Sequence, residues 1–253
     1  MSLPIIALAH FASSARLANA IVLNGTDERL SRTATATTVT RTKFTFDGWV
    51  YPTSSGVARP IYTVDTGAKG GLIWLTTGNV VRYDETDGVA ADTINALGTT
   101  TISANVWTHI HLEYDSTQAT AANRVKIWIN GSADTVSFPG SNTPDLNQSS
   151  LYGINTLVHS IGWNQNTAAF FPGRLALLHW IDGTVVSVST FGQTVGGQWQ
   201  AKLPTGLTYG NNGFFLDFSN ASALGTDVDA GHNFTLTNID ATNATGNGPT
   251  IAS

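Results

Sequence analysis

Across 253 residues the chain carries only three glutamates, Glu28, Glu85 and Glu113, against 36 threonines. Helical proteins place much of their surface charge in Glu and Lys, which keep rotamer freedom in a helix. Thr is β-branched, loses χ1 freedom there and packs well on a pleated strand. The imbalance excludes a helix bundle and selects sheet. Charged residues are 11% of the chain, about half the usual quarter, so Thr, Ser and Asn supply the surface polarity. The length suits one large all-β domain or two small ones, with a real core.

Past residue 20 the sequence divides into short β-like runs separated by Gly, Asn or Asp: 20–23, 43–51, 60–66, 71–77, 79–84, 99–102, 107–114, 124–129, 157–162, 173–182 and 213–218. Such spacing predicts a two-sheet antiparallel jelly-roll β-sandwich. In 124–130, Val125, Ile127 and Ile129 face one way while Lys126 and Trp128 face the other. In 107–114, Ile110, Leu112 and Tyr114 oppose Trp107, His109, His111 and Glu113. This is the pattern of a strand with one apolar and one semi-polar face. Leu175, Ala176, Leu177 and Leu178 are apolar on both sides, as a strand covered twice would be. Asn130 followed by Gly131 is a hairpin signal.

The domain reading is an N-terminal arm over 1–19, a sandwich over 20–237 and a Thr/Asn/Gly-rich tail over 238–253 that needs a partner surface to hold it. The arm is apolar, and Ala18, Asn19 and Ala20 resemble a signal-peptidase site. No Lys or Arg precedes the apolar run, which favours a packed arm or short helix. No run reaches the 18 or so apolar residues of a membrane span. A net charge of −5 with 12 Lys and Arg argues against nucleic acid, whose phosphates need clustered cations. The absence of cysteine removes disulfides and thiolate chemistry.

The segment with Trp107, His109, His111, Tyr114 and Asp115, followed by Val125, Ile127, Ile129, Asn130 and Gly131, resembles the paired-strand signature of laminin-G-like, concanavalin A-like jelly rolls. Phe171, Gly173, Leu175, Leu177, Trp180, Asp182 and Gly183 resemble their closing strand. The flanks are similar to tailed-phage virion proteins of this kind: Leu30, Arg32, Thr33, Phe44, Gly48 and Trp49 at one end, and Gly213, Leu216, Asp217, Phe218, Leu224, Asp227, Asn233, Phe234 and Ile239 at the other. The resemblance spans 20 to 240. It implies a non-enzymatic structural protein on a virion surface, as fibre or capsid decoration. Its implied partners are other virion proteins and sister subunits, with a homotrimer favoured. The alternative is a lectin-like adhesion module for host surface glycans; fold alone does not license sugar binding. Ala176 stands where the laminin-G-like pattern often has Asp, so no polar or calcium role is inherited at that position.

Glycoside hydrolysis needs two carboxylates about 5–10 Å apart. Three glutamates offer no such pair, and Asp84, Glu85 and Asp87 read as one solvated acidic turn. His109 and His111, two apart on one strand face, have zinc-like spacing without a third ligand; the competing reading is a half-buried polar face. His179 reads as a satisfied core histidine. Asp227, Asp229 and Asn233 alternate around Gly231 as a weak calcium loop, in competition with Asx turns. Seven tryptophans are many for this length, and indole faces can stack on sugars as well as fill cores. Trp163, followed by Asn164 and Asn166 on a polar loop, is the expected glycan platform.

Overall fold

The alternation of these runs becomes two stacked antiparallel sheets. The computed structural model describes residues 17–252 apart from 39, 68 and 89–92. The expected arm lies outside the described residues through position 16, as does His10. Ala18 and Ala20, read above as a cleavage motif, are buried, and the Ala18 N–H donates to the Pro249 carbonyl at 2.9 Å.

The described strands are, in chain order, β1 (Ala20–Asn24), β2 (Arg29–Thr33), β3 (Lys43–Pro52), β4 (Arg59–Asp65), β5 (Gly70–Leu75), β6 (Val81–Thr86) and β7 (Ile94–Leu97). There follow β8 (Thr108–Asp115), β9 (Val125–Ile129), β10 (Ser132–Ala133), β11 (Val158–Ile161), β12 (Trp163–Asn164) and β13 (Ala169–Phe170). The last are β14 (Pro172–Asp182), β15 (Gly192–Val195), β16 (Gln198–Ala201), β17 (Phe214–Leu216), β18 (Thr235–Thr237) and β19 (Ala244–Thr245). The first sheet runs β10-β9-β8-β3-β14-β1-β19, with β17 also paired to β14. The second runs β18-β2-β11-β4-β5-β6-β7, and β12–β13 and β15–β16 are separate hairpins.

Between the sheets lies an aromatic core. Phe44 stacks on Tyr114 at 5.1 Å and Phe46 on Tyr62 at 5.9 Å, while Tyr152 and Trp180 close the centre. The phenol ends find partners, as buried hydroxyls must: Tyr152 donates to the Tyr62 carbonyl at 3.0 Å, and Tyr62 bonds His159 Nδ1.

The doubly apolar run in β14 is where the strand changes parity. The ladder with β3 shifts register between Ala176 and His179, and Leu177 sits at φ 48°, a β-bulge with a non-glycine residue in the left-handed region. Before the bulge Leu175 faces the core. After it, Leu178 and Trp180 do, and His179 is turned to the outer face opposite Asp47. Gly48 makes room, because a Cβ there would lie 2.6 Å from Leu178 Cδ2.

Two expectations are corrected. Residues 99–102 form no strand; the Asp134 carboxylate accepts from the N–H and hydroxyl groups of Thr99 and Thr100, holding them out of a ladder, and β7 lies just before. Asp84 and Glu85 are no solvated turn: both are buried in β6. The tail pairs with its own chain: β19 with β1, Thr250 with Leu17 and Ile251 with Ala201.

Candidate functional site

Strand alternation lifts every second side chain of the first sheet away from the core. On this outer face β3 presents Thr45, Asp47, Trp49 and Tyr51, and β8 presents His109, His111 and Glu113 behind Trp107. The β15–β16 hairpin closes over part of it. Gly196 and Gly197, at φ 58° and 80°, make the two-residue turn that matches the twist of the flanking strands. Trp199 reaches down to lie 5.8 Å from the His109 ring, and Phe191 lies 5.6 Å from His111 and 5.1 Å from His179.

Beneath this cover Asp47 Oδ2 accepts two hydrogen bonds of 2.8 Å, one from His109 Nε2 and one from His111 Nδ1, with all three side chains out of solvent. An ionised carboxylate only accepts, so both ring nitrogens carry protons. Burial alone would raise the Asp47 pKa; the two imidazoles outweigh it and hold the carboxyl at about 2. For His111, burial pushes the ring down, but Asp47 and Glu113, whose Oε1 is 3.4 Å from Nε2, raise it above its ordinary value. His179 lies flat on Phe215 at 3.9 Å and bonds the Tyr209 hydroxyl at 2.7 Å; burial lowers it to about 4, so it is neutral. The zinc-like pair is thus consumed by Asp47, and among the described residues no three His, Cys, Asp or Glu side chains converge as a metal site.

Beside the network opens a groove of about 410 Å³, within the range of about 300–1,000 Å³ for small-ligand sites. Trp49, Trp107 and Trp199 line it with Gln198 and Gln200, and residues 248–250 form its far wall. Trp49 rests on His109 at 5.1 Å. Trp107 packs on Tyr51 at 5.4 Å and donates from Nε1 to the Asn247 carbonyl at 3.0 Å. Trp199 is seated in a slot between two glycines: a Cβ on Gly131 or on Gly192 would fall 2.4 Å from its ring. Rings fixed by packing, with amides beside them, present hydrogen-bonding and CH-stacking surface together. Among the described residues no carboxylate lines the groove.

The residues expected from sequence sit elsewhere. Trp163 lies on β12 with the Arg29 guanidinium 4.3 Å over its ring and Phe170 stacked at 6.3 Å. Asn164 is buried, and its Oδ1 accepts from the Asn166 N–H at 2.9 Å, an Asx turn rather than a free amide platform. The side chain also lines a smaller cavity of about 220 Å³ with Trp74 and Pro60. Asp227, Asp229 and Asn233 do not converge as cation ligands. Asp227 accepts from the N–H groups of Phe215, Asp229, Ala230 and His232, and Asn233 Oδ1 accepts from the Asp227 N–H. What gathers there is a nest of amide donors around a carboxylate, the reverse of a calcium shell.

Gln198, Trp199 and Gln200 were missed in the sequence, although the Gly196–Gly197 turn between Thr194 and Trp199 marks the hairpin that carries them. Asp47 had no local signal, because its partners are more than sixty residues away.

The sequence matches no curated protein. Among solved structures it is similar to a candidate carbohydrate-binding protein from Bacteroides ovatus, with a TM-score of 0.57 and 16% identity over 94% of this chain; the chain spans 62% of that protein. It is also similar to a heptameric SAP-like pentraxin from Limulus polyphemus, with a TM-score of 0.48 and 11% identity over 69% of this chain and 80% of that one. A third is domain 4 of AbnA, a GH43 extracellular arabinanase from Geobacillus stearothermophilus in complex with arabinotriose, with a TM-score of 0.45 and 18% identity over 66% of this chain and 72% of that one. Residues 24–189, about two thirds of the sequence and strands β2 to β14, match the sequence profile of the concanavalin A-like lectin/glucanases superfamily, and the chain belongs to that family.

Proposed function

We propose that the chain is a lectin-like module that binds glycan without cleaving it, in the groove of Trp49, Trp107 and Trp199. The observation that carries this reading is the groove itself: three packed indoles and two glutamine amides around about 410 Å³. Sugars match such a surface, with CH faces for the rings and hydroxyls for the amides. The likeness in fold to the Bacteroides ovatus protein supports it. The glycan contact is thereby assigned to the β15–β16 side of the molecule rather than to Trp163, Asn164 and Asn166.

Affinity electrophoresis through gels containing polysaccharide tests the reading. Retarded migration that Trp107→Ala reduces is the expected result; unretarded migration in every gel overturns it.

The setting we propose is the one the sequence resemblance implies, the surface of a tailed-phage particle as a fibre or decoration component, assembled as a homotrimer. A cryo-EM map of such a particle with this chain traced into its density is expected, and sedimentation at the monomer mass argues against the trimer.

A further inference from the structure

Among the described residues every side chain lining the groove is uncharged. Ring surface comes from Trp49, Trp107 and Trp199, amides from Gln198 and Gln200, and the far wall is the neutral segment 248–250. The ionisable groups of the surrounding elements are committed elsewhere. Arg174 lies 4.9 Å over Tyr51, on the far side of that ring's partner Trp107. Lys202, next to the hairpin, donates from Nζ to the Ser189 carbonyl at 2.9 Å. His109, Asp47 and His111 hold one another out of solvent under the groove.

We infer that the ligand of this groove is a neutral glycan, built of uncharged hexose or pentose units, and that sialylated and uronate-bearing chains are rejected. The inference rests on the glycan-binding reading above and adds its selectivity. A sugar hydroxyl both donates and accepts, and a glutamine amide offers both functions in one plane, so Gln198 and Gln200 suit a hydroxyl-rich ligand. A carboxylate entering the same space gives up water and meets no cation among the described lining residues to replace it, a cost that excludes it unless it is paired. The chain's net charge of −5 adds long-range repulsion of anions rather than steering. Selectivity here comes from what the wall lacks as much as from what it offers.

Isothermal titration of the full chain decides the matter, with neutral gluco-, galacto-, manno- and xylo-oligosaccharides on one side and sialyllactose and oligogalacturonate on the other, each at low and high NaCl. Neutral oligosaccharides are expected to bind with an affinity that salt does not change, because no exposed ion pair is screened. Acidic ones are expected to bind about a hundredfold more weakly, the scale at which a site lacking the partner of a buried polar group discriminates. Trp107→Ala should weaken neutral binding about tenfold while Trp107→Phe retains most of it, as ring stacking predicts. Gln198→Lys, at an exposed position of the hairpin, should bring acidic chains into the groove. Tightest binding of an acidic oligosaccharide, falling with salt, overturns the inference and leaves glycan binding standing. Unchanged affinity in Trp107→Ala moves the ligand off this groove and overturns it too. Binding of none of the panel by protein whose circular dichroism shows intact sheet overturns the glycan-binding reading itself.

Discussion

Glu85 and Asp47 are both fully buried carboxyls, one facing the core from the second sheet and one on the outer face of the first, and burial leads them in opposite directions. Around Glu85 the donors are neutral: the Tyr83 hydroxyl at 2.6 Å, the Ser150 hydroxyl and the Leu151 N–H at 3.1 Å. Burial dominates, and the carboxyl rises to about 7. Around Asp47 the donors are two imidazoles, and the carboxyl falls to about 2 despite equal burial. The inner face excludes charge because stacked aromatic rings leave nothing to balance it. The outer face, roofed only by a hairpin, keeps charge because β8 places two histidines on one oxygen. Desolvation sets the cost of burying a carboxylate, and the character of the donors decides its sign.

The largest effect should come from the inner face. Trp180→Ala removes a fully buried indole, and urea unfolding should show a loss of about 3–5 kcal/mol. On the outer face, Asp47→Ala leaves two buried imidazole donors without an acceptor, a loss of ~3 kcal/mol. If it costs under ~1 kcal/mol, the histidines are not held by charge and the contrast drawn above breaks.

The pH dependence sharpens the same contrast. The folded value of Glu85 lies above its unfolded one, so its proton stabilises the fold at low pH and that stability is lost as pH rises from about 4.5 through about 7. The loss is ~3 kcal/mol, read as the pH-dependent difference in urea midpoint between Glu85→Gln and the unaltered chain, because buried neutral His179, at about 4, gains stability over the same range and offsets the fall in the unaltered chain. Asp47 acts oppositely: its contribution is present above its unfolded value near 3.8 and lost as pH falls through about 2. His111, raised in the fold, adds stability below its unfolded value of 6.5 that fades as pH rises through its folded value. In Glu85→Gln, the fall that remains between 6.5 and the folded value of His111 belongs to His111.

Gly192→Ala drives a methyl into the Trp199 ring. It should cost about 1–3 kcal/mol and weaken glycan binding in calorimetry, since the ring is displaced. The smallest effect is expected from Trp163→Ala, which gives up the contact with Arg29, worth about 0.5–1 kcal/mol at an exposed site. Its glycan affinity should be unchanged; a loss there would return the ligand to the β12–β13 loop.

The fold was legible where alternation is strict. The inward set Ile110, Leu112 and Tyr114 and the set Val125, Ile127 and Ile129 are core residues, as their spacing requires. Legibility failed where one side chain far away decides the matter. Thr99 and Thr100 look like strand residues, but Asp134 takes their donors. Asp84 and Glu85 look like a solvated turn, but the 150–151 segment folds over Glu85. The run 175–178 showed that the strand is covered twice, while its bulge is a property of the ladder with β3 and has no signature in a single strand. Of the site, the seven tryptophans pointed to ring surface. Which of them share a groove depends on the β15–β16 hairpin crossing the sheet, and that is a tertiary fact.

The edges of the two sheets carry a consequence for how copies of this chain behave in concentrated solution. β10 and β19 are two residues each, β18 is three, and β7 is four. The outer rim of β7 is further closed by backbone hydrogen bonds of Asn95 to the Asn142 carbonyl and of Leu97 with Ser137. Threonine, abundant in this chain, favours lateral strand pairing. Short, capped rims leave too few free backbone groups to template such pairing. How copies of this chain meet at high concentration depends on where strands stop, and extending β10 or β19 by a few strand-forming residues should give such copies an edge along which to pair.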